Sequence, residues 1–126
     1  MDNLEKNVSS KVSRYLIMLL SVVFMILIDN ATTRLVGAWP NVYKNKKPIT
    51  FHIELNKTAN VRIILYDLKG ELVYSRTLLN AQNKLDVLWE GTDSNGNKVT
   101  SGIYLYRVKV TGDSNAETSN GIILVL

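Results

Sequence analysis

The chain has 126 residues, enough for one domain of ordinary size plus a short N-terminal extension. Apolar residues make up 46% and charged residues 21%, which excludes a disordered chain. There is no cysteine, which excludes a disulfide framework, a thiolate metal site and a cysteine nucleophile.

The net charge of +4 is not gathered into a stripe. Its densest spot, Lys44, Lys46 and Lys47, reads as solvated linker, and no nucleic-acid partner is expected. Residues 1–14 are polar and carry Lys6, Lys11 and Arg14. Tyr15 to Ile28 then runs apolar except for Ser21 and stops at Asp29. That run is short for a membrane helix, which needs about 20 residues, and suits the apolar core of a signal peptide. Two readings of residues 1–31 stay open: a cleaved signal peptide, or an uncleaved anchor holding the chain to a membrane through residues 15–28. Both place the remainder outside the cytoplasm.

Residues 32–47 lack a sustained period and contain Gly37, Pro40 and Asn41, so they read as a linker with a short extended piece at Thr33–Trp39. From Pro48 the period is two. Ile49, Phe51, Ile53 and Leu55 alternate with Thr50, His52 and Glu54, the pattern of a half-buried strand. Val61, Ile63 and Leu65 repeat it. Asp67-Leu68-Lys69-Gly70 has the composition of a tight turn, and Glu71 to Leu78 returns as the partner strand. Leu85, Val87 and Trp89 then share a face. Turn signals every 8–12 residues or so predict an all-β sandwich of six to seven antiparallel strands over 48–126, preceded by the apolar signal or anchor helix.

Trp89 to Tyr104 concentrates the turn chemistry. Trp89 is placed as a core anchor, Gly91 lets the chain leave the strand, and Asp93 with Asn95 and Gly96 forms a turn needing positive φ. Gly102 opens the next strand, and Tyr104 is placed to tie a loop back to the sandwich. Counted as a calcium loop from Asp93, the sixth position is Lys98 and the twelfth Tyr104, so the ligand set fails.

Together with the hairpin around Asp67 and Gly70, this Trp89-to-Tyr104 string resembles the Ig-like domain of the flagellar hook-capping (FlgD-like) family. Related domains include the C-terminal sorting domains of type IX secretion. Ala38-Trp39-Pro40-Asn41 resembles the start of that domain, with Val42 where a second proline is common. The resemblance implies an Ig-like fold and an accessory module that is secreted or held at the bacterial cell surface, in which the matching residues are structural.

Catalytic groups do not converge. His52 is the only histidine and falls on a polar strand face. Asp67 with Glu71, and Glu90 with Asp93, sit at turns where such residues are expected. Neither an enzyme nor a cofactor is expected. Protein partners are, with the apolar C-terminal residues Ile122, Ile123, Leu124, Val125 and Leu126 as a candidate interaction edge. A secretion-sorting module is an alternative, and a carbohydrate-binding module using Trp39 or Trp89 a second.

Overall fold

The alternating pattern becomes eight strands among the residues described by the computed structural model, namely 11–20, 32–113 and 115–126. In chain order they are β1 (Thr33–Trp39), β2 (Val42–Tyr43), β3 (Ile49–Leu55), β4 (Ala59–Tyr66), β5 (Leu72–Ala81), β6 (Lys84–Trp89), β7 (Gly102–Thr111) and β8 (Ala116–Val125). One sheet has the order β1-β3-β6 and the other β2-β8-β7-β4-β5. Neighbours run antiparallel except β2 and β8, where Val42 lies opposite Leu124 and Tyr43 opposite Val125 in parallel.

Inward positions of both sheets interdigitate as the single core that a sandwich requires. Ile49, Phe51, Ile53, Val87 and Trp89 come from the three-stranded sheet. Val61, Ile63, Leu65, Tyr104, Tyr106, Val108, Val110 and Ile123 come from the five-stranded one. Phe51 meets Tyr106 edge to face, with ring centroids 5.3 Å apart. Tyr106 in turn lies over Gly121, its cross-strand partner, where any Cβ would run into the tyrosine ring. A glycine inside a strand is thus used for close approach.

Two expectations need correction. Residues 32–47 are not a linker: they supply β1 and β2, and Thr32 is buried. The Glu117 carboxylate of β8 accepts from the Thr32 amide at 2.7 Å, from the Thr33 amide at 3.2 Å and from the Thr33 hydroxyl, so β1 is held to the opposite sheet. Six of the eight strands, β3 to β8, lie within 48–126, as expected. The second correction concerns Ile122–Leu126, which do not form a bare edge. The Leu124 amide donates to Asn41 O and the Leu126 amide to Tyr43 O, so β2 covers this end, while Ile123 and Val125 point into the core.

The chain divides after Ala31, and the sandwich comprises Thr32–Leu126. Residues 11–20 are helical, and among the described residues no helix is long and apolar enough to cross a membrane. The expected signal or anchor falls mostly on residues outside those described.

Trp89 is 1% exposed and is the largest of the fully buried side chains. Trp89→Ala is therefore expected to cost about 3–5 kcal/mol of stability, read from the denaturant midpoint at unchanged slope. A loss below about 1 kcal/mol would contradict its place in the core.

Candidate functional site

The stretch from Trp89 to Tyr104 builds one end of the sandwich. Trp89 closes β6 with its indole among the rings of Tyr43, Tyr74 and Tyr104, at centroid distances of 6.0, 6.5 and 6.4 Å. Its Nε1–H donates to Thr92 O at 2.8 Å, which meets the need of a buried indole for an acceptor. Gly91 has φ 72° and faces the Tyr43 ring, which a Cβ would approach to 2.7 Å. Both conditions call for glycine. The Val99 amide donates to Gly91 O at 2.9 Å, and Thr92 bridges to Lys98.

At the tip, Asp93 Oδ1 accepts from the amides of Asn95 and Asn97, each at 2.9 Å. Gly96 has φ 85° and its amide donates to Asp93 O at 3.1 Å. The β4–β5 turn uses the same device. Asp67 Oδ1 accepts from the amides of Lys69 and Glu71 at 2.9 Å, Gly70 has φ 84°, and its amide donates to Asp67 O at 3.1 Å. Two turns of like geometry thus stand side by side, with a shallow groove between them lined by Asp67, Val73, Ser94, Lys98 and Tyr104. Ser94 joins them. Its amide donates to Val73 O at 3.0 Å and its hydroxyl accepts from the Ser75 amide at 3.1 Å, pairing with β5 like a one-residue strand. Sequence reasoning did not find this contact, because Ser94 reads as an ordinary turn residue.

Beyond the turn, Tyr104 Oη donates to Thr100 O at 2.6 Å, tying the loop to β7 as a tyrosine corner does. The expected motif residues Trp89, Gly91, Asp93, Asn95, Gly96, Gly102 and Tyr104 come together here, with Asp67 and Gly70 alongside. Oδ1 of Asp93 and Oδ1 of Asp67 each accept two backbone amides, so these carboxylates shape the turns.

A second cluster lies on the outer face of the three-stranded sheet. His52 Nδ1 sits 2.7 Å from Asp86 Oδ1, and the Trp39 ring stacks on the imidazole at 3.9 Å and 21°. The register sets Gly37, His52 and Asp86 side by side across β1, β3 and β6, and the missing side chain at Gly37 leaves room for the indole. Sequence reading gave His52 no partner, since Asp86 is remote along the chain; the signal lay in both residues occupying polar-face positions of strands that pair. Among the described residues no group of three or more His, Asp and Glu side chains is disposed to hold a metal ion.

The chain matches the FlgD Ig-like domain family over residues 40–115. Similar solved structures include dimeric latent PorU from Porphyromonas gingivalis, 27% identical with a TM-score of 0.60, the match covering 72% of this chain and 9% of PorU. FLGD from P. aeruginosa is 24% identical with a TM-score of 0.54, over 73% of this chain and 74% of its own. PorZ, an essential bacterial surface component of the type-IX secretion system of P. gingivalis, is 22% identical with a TM-score of 0.47, over 72% of this chain and 11% of its own. No curated protein matches the chain.

Because Asp93 holds two backbone amides, Asp93→Ala is expected to cost about 1–3 kcal/mol, whereas Asp93→Asn keeps an acceptor and should cost less. Thermal melts of the two variants test this. Equal melting temperatures in both variants and the parent would show that the turn does not depend on the carboxylate.

Proposed function

The chain belongs to the FlgD Ig-like domain family, and on that footing we propose that it is a non-catalytic interaction module working outside the cytoplasm, at the bacterial cell surface. One observation carries the reading: the polar and aromatic residues gathered at the Trp89–Tyr104 end are committed to the fold. Asp67 and Asp93 hold turn amides, Tyr104 holds Thr100 O, and Trp89 is buried. What remains for function is surface, presented by a frame that shape and charge can use. A variant of this reading has the sandwich serve as a secretion-sorting or surface-anchoring module, as the resemblance of its Trp89-to-Tyr104 string to sorting domains implies. For the carbohydrate reading, Trp89 is unavailable, and Trp39, 46% exposed, is the remaining platform.

Cell fractionation with protease treatment of intact cells tests the proposal. The protein should be recovered outside the cytoplasm, and mass spectrometry of its N-terminus should distinguish a cleaved leader from a retained anchor. Recovery in the cytoplasm alone would contradict the reading. For the sorting variant, residues 32–126 fused to a reporter should change the reporter's location; an unmoved reporter would rule that variant out.

A further inference from the structure

The five-stranded sheet carries an apolar row on its outer face, away from the core. Strand register sets Leu72, Tyr66, Leu105 and Ile122 side by side across β5, β4, β7 and β8. Leu72 is 56% exposed, Leu105 41% and Ile122 56%. Ile103 and Leu124 form the next pair toward the end of the sheet that β2 closes. In the other direction the row meets cations. Arg107 lies opposite Ile64, and Arg62 opposite Lys109, all on the same face. Arg62 Nε donates to Ser75 Oγ at 3.2 Å and Arg107 Nε to Asn120 Oδ1 at 3.1 Å, so the partners of both guanidinium groups are neutral. The outward positions of β4, β5, β7 and β8 carry no carboxylate. Ile64 is only 6% exposed although it points away from the core. Its cross-strand neighbours are Arg107 and Ser75, so the charged and apolar halves adjoin on one surface.

We propose that this face docks another protein through a flat, acidic surface in which leucine, isoleucine or aromatic side chains lie beside Asp or Glu. The proposal rests on the reading of the chain as an interaction module and adds the face and the partner's chemistry. Charge complementarity selects the occupant: three cations flanking an apolar row call for carboxylates flanking another. A second copy docked by the same face does not supply them, because that face carries the same Arg62, Arg107 and Lys109. A lipid surface supplies anions, but an interfacial segment buries its apolar face about 5–10 Å deep. Leucines seated on a flat sheet, with arginine and lysine side chains beside them, have no such reach. Sheet faces pack against other sheets at a separation of about 10 Å, which fits a flat partner.

Photo-crosslinking of the full chain in its native host tests the proposal. A crosslinking phenylalanine analogue is placed at Leu105 and, in a separate strain, at Leu88 on the outer face of the other sheet. The expected result is a protein adduct from position 105 whose crosslinked peptide combines apolar residues with Asp or Glu. Its yield should fall about tenfold with Arg62→Glu plus Arg107→Glu, and with Lys109→Glu as an independent variant, at unchanged melting temperature. Adducts only from position 88 would overturn this face while leaving the interaction module standing. No protein adduct from either position would overturn both. A self-adduct, a lipid adduct, or a protein adduct indifferent to charge reversal in folded variants would overturn the acidic protein partner.

Discussion

The burial of one indole at the end of β6 holds the two sheets in register. Trp89 belongs to the three-stranded sheet, yet the rings around it come from β2, β5 and β7 of the other. Transferring so large an apolar surface out of water is worth several kcal/mol, but only if the indole N–H finds an acceptor. Thr92 O is that acceptor, and it lies at the start of the turn that Asp93 shapes. The core, the turn and the loop that Tyr104 ties down are therefore one cooperative unit. A defect in the turn reaches the core through the Trp89–Thr92 hydrogen bond.

Much of the architecture was legible in the sequence because its strands are half-buried and alternate strictly. Ile49 to Leu55 and Tyr104 to Val110 read directly onto inward and outward faces. The turns were legible too, since Asp67 with Gly70 and Asp93 with Gly96 follow from backbone geometry alone. What escaped the sequence depends on tertiary partners. Two residues, Val42 and Tyr43, are too few to show a period, and β2 exists because β8 offers Leu124 and Leu126 amides to it. The extended piece Thr33–Trp39 was legible, but not its place as the edge strand β1, which rests on pairing with β3. The role of Glu117 across the seam, and the His52–Asp86 pair, join residues distant in the chain, which no local pattern encodes.

The aromatic and polar residues that drew attention as chemistry turn out to divide by face. Those pointing inward or into turns maintain the sandwich. The outward residues are free of that duty and vary in character between the two sheets. One sheet presents Trp39 on His52 with Asp86 beside it; the other presents an apolar row with flanking cations.

Release of the Trp89 indole demands unfolding of the entire sandwich. Hydrogen exchange of the two indole N–H groups, followed by NMR, measures this directly. The Trp89 Nε1–H should exchange only through global opening, with a free energy equal to that from denaturant unfolding, while the half-exposed Trp39 exchanges far faster. Exchange of Trp89 at a rate close to that of Trp39 in the folded protein would contradict it.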